Sequence, residues 1–162
     1  LNTQSYSVLD KQTNRWDHNH LSIYFLRQCM SYELTDLERN AALRLNADYR
    51  YEHFISKVAR SGELWALKDD NGLLFLNSDN DETCLPVWPH ADYAKLWAVG
   101  DLARYQPQAI TLKIWLERWT DGLTQDGIAV TVFPLQDEEN LVEEPTELAE
   151  SLNKKLEQYA QE

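Results

Sequence analysis

The chain has 162 residues, 43% of them hydrophobic, which suits one domain with a sizeable core. Its 27 acidic and 15 basic residues leave a formal charge of −12, with no run of Lys or Arg beyond Lys154-Lys155. That balance argues against nucleic acid and anionic membrane as partners and fits a basic protein partner better. The two cysteines, Cys29 and Cys84, form no CxxC or metal-spaced cluster, so they read as reduced thiols in a cytoplasmic protein.

The segment before Met30 is polar and unpatterned, as in Asn2-Thr3-Gln4-Ser5 and Gln12-Thr13-Asn14-Arg15. Patterned sequence begins directly after the only methionine, Met30. Residues 1–29 are therefore expected to be an unstructured upstream extension, and residues 30–162 a single domain. The apolar stretch Leu21–Met30 is broken by Ser22, Arg27 and Gln28. It is too short to span a bilayer and lacks the basic start and cleavage site of a signal peptide. His18 and His20 form a His-x-His pair with no accompanying ligand cluster, so no metal site is nominated.

Thr35-Asp36-Leu37-Glu38 matches a capping box, with Thr35 as N-cap and Glu38 reaching back. A first helix is predicted from Asp36 to Leu45, with Leu37, Ala41, Ala42 and Leu45 as its apolar stripe. Asn46 caps a second, whose buried face is Tyr51, Phe54, Ile55 and Val58, closed by Gly62. Glu63–Lys68 reads as a strand, and Asn71-Gly72 as a hairpin turn with positive φ at both central positions. Leu73–Leu76 then returns as one strand. A third strand over Thr83–Trp88 contains Pro86, which predicts an edge or a bulge. Ala91–Val99 reads as a helix and Tyr105–Ile110 as a short extended link. A helix capped by Thr111 carries Leu112, Trp115, Leu116, Trp119 and Leu123 on one face. Ile128–Phe133 alternates as a strand, Asp137–Glu144 reads as a charged loop, and a last helix starts at Pro145. The order is α-α-β-β-β-α-(β)-α-β-α. The fold class is α+β, a small mostly antiparallel sheet with helices packed on it. Residues 137–162 hold nine acidic and two basic side chains, the pattern of a solvated helix face.

Several of these segments together resemble a known family. They are Arg50-Tyr51-Glu52-His53-Phe54, Leu64-Trp65-Ala66-Leu67-Lys68-Asp69, Pro86-Val87-Trp88-Pro89-His90 followed by Tyr93-Ala94, Ile110-Thr111-Leu112 and Val132-Phe133-Pro134. The chain resembles, over about residues 34–156, the bacterial family called domain of unknown function 2750. The resemblance implies a small bacterial protein and brings no activity, cofactor or catalytic residue with it.

The candidate binding surface is the edge formed by Pro86, Trp88 and His90, with Tyr93 and Trp97 facing the same cleft. The prolines stiffen the bend, so Trp88 would act as a rigid aromatic anchor, with His90 contacting the ligand or partner. Against this stands the plainer reading that Trp88 packs the core and His90 caps the following helix. Trp115 and Trp119 are read as core. The expected role is a non-enzymatic protein- or ligand-binding module. The alternative is an enzyme using His90 with Asp92, or with Asp69, Asp70 or Glu82, as general acid and base. Cys84 lacks any activating neighbour for nucleophilic chemistry. Asp79-Asn80-Asp81-Glu82 lacks the glycine and closing glutamate of a calcium loop. With five glycines and no phosphate-cradling loop, no cofactor is nominated.

Overall fold

The computed structural model describes residues 7–8, 32–78 and 80–162. Eight strands are described: β1 (Ser7–Val8), β2 (Glu63–Asp69), β3 (Gly72–Leu73), β4 (Leu76–Asn77), β5 (Thr83–Val87), β6 (Gln106–Thr111), β7 (Ala129–Val132) and β8 (Leu141–Glu143). Five helices accompany them: α1 (Asp36–Ala42), α2 (Ala47–Ser61), α3 (Ala91–Trp97), α4 and α5 (Pro145–Ala160). α4 runs through Leu112–Ile114, a π-helical turn Trp115–Trp119, and Thr120–Asp126. The sheets have the orders β1-β4-β5-β7-β8 and β3-β2-β6. All their pairings are antiparallel except β5 with β7. This is the expected α+β class. The Met30 boundary lies outside the described residues; in the segment read as an extension, Ser7–Val8 pair with β4.

Local signals set most helix ends. Thr35 Oγ1 accepts the Glu38 N–H, Asn46 Oδ1 accepts the Tyr49 N–H, and Thr111 Oγ1 accepts the Ile114 N–H. Gly62 closes α2 at φ 77, a conformation open to glycine at little cost. α1 differs from expectation: it ends at Ala42, and Leu37 is 83% exposed while Ala42 is buried. Its inward face is that of Leu34, Glu38 and Ala42, one position round from the predicted stripe.

Pro86 accounts for how the two sheets join. Ser78 N–H donates to Glu82 O, which fixes the β4–β5 register so that Cys84 pairs with Leu76 and Leu74 would come opposite Pro86. Proline has no N–H to offer there. The ladder stops, and Leu74 N–H turns instead to Leu67 O on β2. The predicted strand Leu73–Leu76 is thus split between two sheets. One step further, Trp88 exchanges both backbone hydrogen bonds with Trp65 of β2, at 2.8 and 2.9 Å. Pro86 therefore lies inside a central strand, at the point where one flank of β5 passes from β4 to β2.

Other turns also depart from the predicted chemistry. In the β2–β3 hairpin Asp69 pairs with Gly72, and the Asp69 carboxylate accepts the Asn71 N–H. Positive φ falls on Gly72 and not on the two central residues, Asp70 and Asn71. The expected link Tyr105–Ile110 is a full strand, β6, paired with β2 over six positions. Part of the expected loop Asp137–Glu144 is β8, paired with β7. β2 is buried on both faces, with Leu64, Trp65, Ala66 and Leu67 all in the buried core.

Candidate functional site

The nominated edge is interior. Trp88 is 0% exposed, its ring lies 5.6 Å from that of Trp97, and its Nε1–H donates to Pro134 O at 3.1 Å. Pro86, Tyr93 and Trp97 are buried with it. The expectation that Trp88 stands at a surface rim is corrected. The prolines that suggested a presented bend mark a switch between sheets, and burial of the indole with its N–H satisfied is the stable outcome.

His90 caps α3. Its Nδ1 accepts the Asp92 N–H at 3.1 Å, so Nε2 carries the proton and donates to Tyr32 O at 3.2 Å. Both ring nitrogens are thus engaged by backbone. Asp92 Oδ1 lies 3.9 Å from Nδ1, beyond hydrogen-bond reach. Of the other carboxylates considered, Asp69 faces Arg104 at 3.1 Å. This geometry ties both His90 ring nitrogens to backbone and leaves Asp92 outside hydrogen-bond distance. Burial pushes the Cys84 thiol up to about 11, which keeps it protonated and unreactive. Among the described residues no group of three metal-ligating side chains occurs; Cys29, His18 and His20 lie outside them.

What the fold does assemble beside His90 is a set of polar side chains from four places: Tyr32 ahead of α1, Glu38 on α1, His53 and Lys57 one turn apart on α2, and Tyr93 on α3. Glu38 does not reach back to close a capping box. Its Oε1 lies 2.7 Å from Lys57 Nζ, off-axis for a hydrogen bond and therefore an ion pair, and 3.9 Å from His53 Nε2. The Lys57 ammonium also sits 5.1 Å from the centre of the Tyr32 ring, whose edge packs on His90 at 5.1 Å. His53 packs edge-on against Tyr93 at 6.5 Å. Four buried atoms of this set have no hydrogen-bond partner among the described residues: Glu38 Oε1, which is ion-paired with Lys57, and Tyr32 Oη, His53 Nε2 and Tyr93 Oη.

Burial raises the Tyr32 phenol well above its usual value, and Tyr93, Glu38 and Asp92 add to it. Tyr93 is raised by burial first, then by Glu38 and Asp92, with Arg39 opposing. Burial lowers His53, partly offset by Glu38 and reinforced by Lys57. Near neutral pH the site therefore offers two protonated phenols and a neutral imidazole beside one ion pair. His90 and Tyr93 were singled out in the sequence; Tyr32, Glu38, His53 and Lys57 were not. The available signal was His53 and Lys57 at i, i+4 on the flank of an apolar helix face, and the capping-box match concealed the role of Glu38.

A family model described as "Protein of unknown function (DUF2750)" matches residues 51–152, well over half of the chain. The chain belongs to the DUF2750 family. Comparison with curated proteins and with solved structures gives no match. The DUF2750 match lies inside the span of the expected resemblance. It includes His53, Lys57, His90 and Tyr93, while Tyr32 and Glu38 precede it.

In this DUF2750 chain a strained residue backs the site. Phe133 has φ 48, an outlying conformation for a bulky side chain. Its ring packs 4.7 Å from Tyr93 and 6.1 Å from His53. The strain is held from both sides: Phe133 N–H donates to Val87 O at 2.8 Å, and Phe133 O accepts from Arg50 Nε at 3.1 Å. Arg50 is 1% exposed and donates further to Leu45 O, Glu139 O and Asn140 Oδ1. Strain of this kind persists only where the surroundings over-determine it, and it concentrates at binding sites.

Proposed function

We propose that this chain is a non-enzymatic binding module whose recognition site is the cluster of Tyr32, His53 and Tyr93 beside His90. The supporting observation is that Tyr32 Oη, His53 Nε2 and Tyr93 Oη, three buried polar atoms of one cluster, have no hydrogen-bond partner among the described residues. Native interiors pair more than about nine in ten such groups. Each one left unmet costs about 1–3 kcal/mol. Three in one place are a cost that a ligand supplying the missing partners would remove. The strained Phe133 behind them fits the same reading, since binding sites retain features that folding alone disfavours. The charge of −12 favours a neutral or positive partner over nucleic acid. A cytoplasmic setting fits the reduced thiol of Cys84.

Tyr93→Phe tests this directly, because it deletes one unpartnered hydroxyl and keeps the ring. The variant is expected to match or exceed the wild type by up to about 1 kcal/mol in urea unfolding, while losing material that native mass spectrometry finds on the wild-type protein. A loss of more than about 1 kcal/mol would mean that the hydroxyl already has a partner within the folded chain, and the proposal would fail.

A further inference from the structure

An ammonium group already occupies part of this cluster. Lys57 Nζ meets Glu38 at 2.7 Å and the Tyr32 ring at 5.1 Å, the two contacts that carboxylates and aromatic faces offer a cation. An ammonium has three N–H donors. Beside this pair, Tyr32 Oη, Tyr93 Oη and His53 Nε2 have no hydrogen-bond partner among the described residues, and Tyr93 is 1% exposed.

The charges facing the site are Glu38, Asp92, Lys57 and Arg39. Lys57 offsets Glu38, Arg39 is held by Asp36 at 2.7 Å, and Asp92 remains as surplus negative charge. An anion is disfavoured there and one more cation is not. The Lys57 side chain is 31% exposed, so the ammonium can leave for water, while the Glu38 oxygen it meets is buried and needs a cation in its place. A second ammonium would keep that carboxylate paired when Lys57 leaves.

We infer that the Tyr32–Glu38–His53–Tyr93 site takes a protonated primary amine, and that Lys57 is the chain's own stand-in for it. This rests on the recognition site proposed above and assigns the chemistry of its ligand. The amine is either a free alkylamine or a lysine side chain of a protein partner; the recognised group is the same.

The test is an NMR titration of the full ¹⁵N-labelled chain with n-butylammonium chloride, 1-butanol and sodium butyrate, repeated on Lys57→Met and Glu38→Gln. Butylammonium is expected to give saturable shifts confined to amides near His53–Lys57 and His90–Tyr93, and the other two probes none. Affinity is expected to rise about ten-fold in Lys57→Met, which removes the competitor, and to fall about ten-fold in Glu38→Gln, which removes the counter-charge. An Nα-acetyl-lysine amide that binds more tightly than butylammonium indicates a chain-borne lysine; equal binding indicates a free amine, and both rankings support the site. If 1-butanol binds as well as butylammonium, the amine assignment falls and the recognition site stands. If folded Lys57→Met shows no saturable shift with any probe, both fall.

Discussion

Arg50 carries its charge into the interior with no carboxylate in ion-pair contact among the described residues. Its guanidinium spreads four hydrogen bonds over Leu45 O, Phe133 O, Glu139 O and Asn140 Oδ1. Burial lowers its pKa, with Glu138 as a partial offset. The planar fork is what fits four acceptors in different directions, and an ammonium cannot reproduce it. Arg50→Lys is expected to cost about 2–3 kcal/mol in urea unfolding, because buried acceptors are left unmet. Trp88 makes a second case at this scale. As an exposed anchor it could be truncated with a change inside about 0.5 kcal/mol. As the core residue seen here, Trp88→Ala is expected to cost about 3–5 kcal/mol, measured in the same way. Both residues were visible in the sequence, but burial of an arginine or a tryptophan depends on what other segments bring to it.

At the scale of elements, two prolines sit in strands and have different consequences. Pro86 interrupts a ladder and moves the chain between sheets. Pro107 lies on β6, at the end of the β3-β2-β6 sheet. The Leu112 N–H to Gly62 O bond sets the pairing phase, so Gln106, Gln108 and Ile110 bond to β2 while Pro107, Ala109 and Thr111 face the free edge. Proline removes one outward donor, and the Gln108 side chain donates to Ala109 O. The edge is blunted against pairing with another chain. Replacing Pro107 and Gln108 together by Val is expected to raise self-association over the wild type in sedimentation velocity; unchanged sedimentation would show that something else guards the edge. The sequence placed Pro107 in an extended segment but not in a strand. The reason is that β6 is defined by its pairing with β2, some forty residues earlier, more than by its own residues.

For the whole molecule, the half-buried His53 of the candidate site couples folding to pH. His53 has a lowered pKa in the folded state, chiefly through burial. The folded chain therefore binds fewer protons than the unfolded one. Its contribution to stability is present above the ordinary value of 6.5 and is lost as pH falls below it. Protonation of the many carboxylates works the other way by reducing self-repulsion, so the effect is isolated by comparison with His53→Gln. The stability of the wild type relative to this variant is expected to decline between about pH 7.5 and pH 5.5 in paired urea titrations. A constant difference would show that His53 titrates alike in both states.

The residues alone determined the α+β class, the caps at Thr35, Asn46 and Thr111, the α2 face of Phe54, Ile55 and Val58, the buried Trp115 and Trp119, and the start of α5 at Pro145. These features rest on interactions within a few residues, where periodicity and side-chain-to-backbone hydrogen bonds act directly. Tertiary structure decided the rest. It put Trp88 inside, split the strand after Gly72, paired β6 and β8, and turned Glu38 from its own helix cap toward Lys57. It also brought Tyr32, His53 and Tyr93 together from positions up to 61 residues apart. Each of these outcomes depends on which distant segment supplies the missing hydrogen bond or apolar face, and local pattern carries no record of that choice.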